Sequence, residues 1–159
     1  SFLAPMGELS DTGFYNVLVM RVAEPQAFLA RLEHDLEIFP EARLTLARVL
    51  PVTETFRYQT PEEFERKAAD AVRGWLAQLA GTRFHVRMHR RGFKGKLSSL
   101  EEEHFLDHFL IEELVRQGEE ASIDFADPDW IIALDTVAQR AGLSLWNREA
   151  VYRLSLIHI

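Results

Sequence analysis

The sequence predicts an α+β fold, and three observations carry that expectation. Short runs of β-branched and aromatic residues alternate with longer stretches whose apolar residues recur at three- and four-residue spacing. Two helix starts carry capping signatures, at Thr60-Pro61-Glu62-Glu63 and at Ser99–Glu102. One nine-residue run, Arg83–Arg91, alternates apolar and basic residues with the two-residue period of a half-buried strand. The elements are short and hairpin signals are few, so helices and strands mix without the regular βαβ repetition of a parallel α/β protein.

In chain order, Ser1 to Gly13 reads as a loose leader. Phe14 to Val22 (FYNVLVMRV) reads as a buried strand. Pro25 opens a helix in which Phe28, Leu29, Leu32, Leu36 and Phe39 share a face, and Pro40 ends it. Leu44 to Thr55 returns to strand character, with a bulge or an edge at Pro51. The helix after Thr60 buries Phe64, Ala68, Ala71, Val72, Trp75, Leu76 and Leu79, and Gly81 stops it. The helix opened by Ser99 is expected to bury Leu100, Phe105, Phe109, Leu110 and Leu114 before Gly118. Ser122–Phe125, a turn at Asp127-Pro128-Asp129, a strong strand over Trp130–Val137, and strand character over Gly142–Trp146 and from Val151 to Ile159 complete the chain.

Composition excludes several classes. The chain has 159 residues, 47% of them apolar, which is too apolar for a disordered segment. It has no cysteine, which removes disulfides, thiolate nucleophiles and Cys-based metal sites and fits a reducing compartment. No apolar run approaches the roughly 20 residues of a membrane span, and the start lacks a signal-peptide layout, so a cytoplasmic location is expected. The formal charge of −7 is unevenly distributed. Arg83, Arg87, Arg90, Arg91, Lys94 and Lys96 fall in one window that contains no acid, while all 25 Asp and Glu lie elsewhere. An acidic body with one basic stripe results.

At strand spacing, Phe84, Val86 and Met88 face one side of that stripe, and Arg83, His85, Arg87, His89 and Arg91 face the other. Five alternate residues span roughly 26 Å, a length that covers several phosphates of a nucleic-acid strand. Gly92-Phe93-Lys94-Gly95-Lys96 follows, with glycines that let backbone N–H groups approach an anion and a ring able to stack on an unpaired base. The alternative reading pairs these cations with Glu62, Glu63, Glu101, Glu102 and Glu103 on neighbouring helices.

The run Phe84–Gly92, followed about thirty residues later by Asp124-Phe125-Ala126-Asp127-Pro128-Asp129 and an apolar strand, resembles a THUMP domain. Val49–Phe56 and Thr60–Glu63 are similar to the entry to that domain, most of all in small stand-alone THUMP proteins related to the adaptor for tRNA cytidine acetylation. The resemblance covers roughly Leu44 to Arg153. It implies a small N-terminal ferredoxin-like βαβ unit over residues 14–58 and a THUMP-like α/β domain over 59–153. It further implies binding of tRNA near the acceptor stem and 3′ end, with the RNA presented to a separate tRNA-modifying enzyme. Carried over by position, Arg87, Arg90, Arg91 and Lys94 would hold phosphates, with Arg83, His85, His89, Phe93 and Lys96 completing the RNA-binding set. Asp127, Pro128 and Asp129 would shape a turn. No catalytic residue, cofactor or metal is expected.

The methyltransferase, deaminase or sulfur-transfer domain that accompanies THUMP modules in enzymes is not recognisable here. A free-standing adaptor and the N-terminal part of a truncated tRNA-modifying enzyme are therefore both open. Residues 154–159 read as a non-native tail. A protein-interaction domain with an acidic partner is a third reading. His104 and His108 have zinc-compatible spacing, with Glu101, Asp107 or Glu112 nearby, but sit among glutamates on a face expected to be wet. Asp124, Asp127, Asp129 and Asp135 are dense enough for magnesium, though an Asp-Pro-Asp turn needs no metal. Dinucleotide, P-loop and nucleophile-elbow motifs are absent.

Overall fold

The computed structural model describes residues 7–44, 46 and 48–151, and the chain divides into two units between Pro51 and Val52. In the first unit, β1 (Glu8–Asp11) pairs antiparallel with β2 (Leu18–Arg21). A turn at 12–17 joins them, held by the Thr12 hydroxyl donating to the Val17 carbonyl at 2.8 Å. Helix α1 (Pro25–Ile38) follows and buries Leu29, Leu32 and Leu36. The expected leader thus supplies a strand, and the strand expected over Phe14–Val22 is ordered as such only from Leu18.

Pro40–Leu44 forms a 3-10 helix, and among the described residues strand structure resumes at β3 (Glu54–Arg57), which pairs antiparallel with β7 (Arg140–Asn147). The Thr53 amide already donates to the Leu143 carbonyl at 3.0 Å, so this segment is drawn to the larger sheet just past Pro51.

That sheet has the order β3-β7-β6-β4-β5, where β4 is Arg83–Arg91, β5 Ser122–Ile123 and β6 Trp130–Val137. Strand β4 runs parallel to β5 and β6, and β6 and β7 form an antiparallel pair joined at Ala138 and Gln139. Helices α2 (Pro61–Arg73), α3 (Leu76–Leu79) and α4 (Ser99–Arg116) supply the other half of its core. Phe64, Ala68 and Val72 of α2 and Leu106, Leu110 and Leu114 of α4 meet Phe84, Val86, Met88, Ile132, Leu134 and Leu143 of the sheet. Each such Leu, Ile, Val, Phe or Met side chain contributes roughly 1.5–3 kcal/mol when fully buried, and Ala68 less.

Local chemistry explains the element ends. The Thr60 hydroxyl accepts from the Glu63 amide at 3.1 Å, and the Glu63 carboxylate accepts from the Gln59 amide at 3.0 Å. The expected long helix breaks at Gly74-Trp75 before α3. Helix α4 begins one residue earlier than Ser99–Glu102 suggested: Ser98 is the N-cap, its hydroxyl facing the Glu101 amide at 3.4 Å. The buried face is shifted in the same way. Leu100 is 61% exposed, whereas Leu106, Leu110 and Leu114 are enclosed, together with Glu102 and Asp107.

Helix α4 also closes an edge. Strand β5 covers β4 only at Arg83 and Phe84, so the outward amides beyond it have no strand partner. Asp107 accepts from the Val86 amide at 2.8 Å and Glu103 from the Met88 amide at 2.7 Å. The rise over four helical residues, about 6 Å, matches the roughly 6.6 Å between alternate strand residues, so two carboxylates four apart can cap two amides two apart. Burial pushes the Asp107 carboxyl up to about 7 against the lowering effect of the Val86 amide, with the Glu103 charge adding to the rise. Glu102 is also pushed up to about 7, by burial first and then by the charge of Glu65 on α2. No helix among the described residues is long and apolar enough to cross a membrane.

Candidate nucleic-acid interface

The face of the sheet away from the core carries the basic stripe, and the structure divides it into parts with different surroundings. Arg87 and His89 project as exposed residues. His85, in phase with them, is only 5% exposed. Its Nδ1 lies 3.1 Å from the Val86 carbonyl and its ring packs against Phe125, with centroids 5.3 Å apart. Burial lowers its pKa, against the Val86 carbonyl, and the nearby Arg87 charge lowers it further, which favours the neutral ring. His85 supports the stripe from below and offers no positive charge to a ligand.

Arg83 opens the stripe and is enclosed by acids. Its guanidinium lies 3.3 Å from Asp129, 3.5 Å from Asp124 and 3.7 Å from Asp127. Arg148, just beyond β7, lies 3.2 Å from both Asp127 and Asp129. Hydrogen bonds from the Asp127 and Ala126 amides hold the Asp124 carboxyl below its ordinary range, and the Arg83 amide does the same to Asp129. The Asp129 side chain raises the Arg83 pKa in return. The Asp127-Pro128-Asp129 turn is thereby a junction. Asp129 bonds the Arg83 backbone in both directions, and its own carbonyl accepts from the Arg148 amide at 3.1 Å.

At the far end, Arg91 pairs with Asp135 at 3.0 Å. Arg90 follows the alternation to the core side, and its guanidinium bonds the Gly92 carbonyl. The loop after β4 departs from the stacking role suggested for Phe93. Gly92, Phe93 and Gly95 all have positive φ, 88°, 56° and 79°. The Phe93 ring packs edge-on against Tyr58 at 5.6 Å, and the Lys96 ammonium sits 5.4 Å from its centroid. Lys94 and Lys96 are exposed at the loop tip.

Beside Arg87 lies a cleft of about 180 Å³, walled by Arg87, Phe125, Pro128, Ile131, Trp146 and Arg148, among others. Phe125 is 61% exposed and Trp146 is buried, its indole N–H donating to the Ser144 hydroxyl at 2.7 Å. Arg148 and Phe125 were not recognisable as surface partners of Arg87 in the sequence. They stand 61 and 38 positions away: the return of β7 alongside β6 brings Arg148 to the site, and the pairing of β5 with β4 brings Phe125. His104 and His108 stay on the exposed side of α4, with His108 3.0 Å from Glu112. No cluster of metal-ligating side chains occurs among the described residues.

Neither a protein-family model nor a curated protein matches the chain. Its fold is similar to that of PH1313 from Pyrococcus horikoshii Ot3, with a TM-score of 0.54 at 18% identity, over 89% of this chain and 43% of that one. It is similar also to a 4-thiouridine synthetase solved in complex with RNA and ATP, with a TM-score of 0.50 at 12% identity. That alignment covers 88% of this chain and 32% of the synthetase. The chain thus spans less than half the length of either protein. A weaker likeness, with a TM-score of 0.43 at 19% identity, is to TrmN from Thermus thermophilus, over 59% of this chain and 27% of that one.

Proposed function

We propose that the unit from Val52 onward is a THUMP-like RNA-binding module that holds tRNA near its acceptor stem and 3′ end and presents it to a separate tRNA-modifying enzyme in the cytoplasm. The observation that carries this reading is the sheet face opposite α2 and α4, with Arg87 and His89 exposed on it, in a fold similar to that of a synthetase crystallised with RNA. Arg87 and His89 contact phosphates, with Lys94 and Lys96 reaching from the adjoining loop, while Arg91, paired with Asp135, contributes less charge. Arg83 and His85 position the strand and contribute little charge. The protein is acidic overall, so attraction is local to this face and screened within about 10 Å at ordinary salt.

The test is binding of the purified chain to bulk tRNA across a salt titration. Micromolar or tighter binding, with log K falling by roughly 0.7–0.9 per neutralised phosphate, is the expected result. No binding at low salt overturns the proposal. A second reading, the RNA-binding part of a longer tRNA-modifying enzyme, is favoured by the chain's spanning only 43% and 32% of the two proteins it resembles. Sequencing the gene past the codon for Ile159 separates the two.

A further inference from the structure

The cationic surface does not follow β4 along its length, because Arg83 is held by three aspartates and Arg91 by Asp135. Strand register points to a different direction. Arg57 of β3 stands opposite Arg140 of β7, Arg140 opposite Val137 of β6, and Val137 opposite Arg91 of β4. All four lie in one row across the sheet. Their chain neighbours Phe56, Ala141 and Thr136 turn toward the core, so this row turns to the opposite face of the sheet. Three interstrand steps separate Arg57 from Arg91, about 14 Å. Arg57 and Arg140 are exposed, and neither has an ion-pair partner among the described residues.

The row rests on three loops fastened to each other. The Tyr58 amide donates to the Gln139 carbonyl at 3.0 Å, and the Ala138 amide to the Arg91 carbonyl at 2.8 Å. The Tyr58 hydroxyl donates to the Ala138 carbonyl at 2.8 Å, while its ring meets Phe93 edge-on. Lys67 of α2 donates to the Arg57 carbonyl at 2.6 Å, fixing the last residue of β3. These bonds fix the main chain beneath the row, so little backbone motion is lost on binding.

We propose that Arg57 and Arg140 form a second phosphate-binding row across β3 and β7, so that the RNA backbone turns from Arg87 and His89 to cross the strands at this end of the sheet. This rests on the RNA-binding reading above and specifies the path of the ligand on that surface.

The experiment compares the full-length chain with Arg57→Gln/Arg140→Gln in tRNA binding across salt, and with Arg57→Lys/Arg140→Lys as a charge-preserving control. Loss of two phosphate contacts lowers the salt slope by roughly 1.4–1.8 and affinity by about tenfold or more at moderate salt, while the lysine variant stays close to wild type. An unchanged slope in a folded glutamine variant overturns the row and leaves the RNA reading intact. Failure of the wild type to bind tRNA overturns both.

A second readout does not depend on those variants. The chain has no native cysteine, so Gln139→Cys gives a single attachment point at the exposed β6–β7 turn for an iron–EDTA cleavage probe. Cleavage of bound tRNA from position 139, and none from Glu112→Cys on α4, is expected. Cleavage from position 112 alone would place the RNA on the helix side and overturn the proposal.

Discussion

Arg83 and Asp129, forty-six positions apart, bond each other's backbones: the Arg83 amide donates to the Asp129 carboxylate at 2.9 Å, and the Asp129 amide to the Arg83 carbonyl at 2.7 Å. Their side chains meet as well, at 3.3 Å. Asp129 is therefore a splice at the start of β4 and β6. Substitution by Asn keeps an acceptor for the Arg83 amide, and substitution by Ala removes it. Thermal melting should rank wild type above Asp129→Asn and that above Asp129→Ala. The carboxyl is depressed in the fold, so its stabilisation is present above the ordinary carboxylate range and is lost as pH falls through its folded value. Equal melting of all three proteins at neutral pH would remove the splice.

Three aspartates already surround Arg83, so phosphates gain little from it. Arg83→Ala should lower the melting temperature while leaving the salt slope of tRNA binding unchanged. Arg87→Ala should do the reverse, reducing the slope by about one unit with little effect on melting. A slope change of similar size in both variants would show that the aspartates release Arg83 to the RNA.

The buried carboxyls set the pH dependence. Asp107 and Glu102 are both raised to about 7, so the folded chain keeps protons that the unfolded chain releases near pH 4. Stability from these groups is full below about pH 4 and declines as pH rises toward 7, by an amount on the order of a few kcal/mol each. Asp107→Asn keeps an oxygen for the Val86 amide and carries no charge to bury. Chemical denaturation at pH 5 and pH 8 should show that variant gaining on wild type at pH 8. An identical pH profile would show that Asp107 is ionised throughout.

Gly142 is needed for space. A Cβ there would lie 2.6 Å from the Val52 Cγ1, on the side of β7 away from the core. Gly142→Ala should cost about 1–3 kcal/mol, the range for overpacking. Val52→Ala in the same chain should recover much of the loss, as read by a double-mutant cycle.

Phe93 distinguishes support from contact. Its edge-on packing against Tyr58 predicts that Phe93→Ala lowers the melting temperature and leaves the salt slope of tRNA binding as it was. Affinity loss without loss of stability would instead mark the ring as a base platform.

Elements whose signals lie within a few residues were legible in the chain alone. The Arg83–Arg91 and Trp130–Val137 strands and the Thr60 helix start appear where alternation and capping predicted them, because a strand's two faces and a helix's first turn are set by near neighbours in the chain. Helix α4 shows where local signals fail. Ser98 and Ser99 are adjacent candidates for the cap, and the choice of Ser98 goes with a buried face that takes in Glu102 and Asp107 and leaves Leu100 outside. The state of the charges was set by folding and could not be read in advance. Arg83 is neutralised by residues 41 to 46 positions away, and Arg91 by one 44 away. Arg57 and Arg140 align with Arg91 because β3, β7, β6 and β4 pair in that order. Electrostatic energy depends on distance in space, and strand pairing sets those distances between residues far apart in the chain.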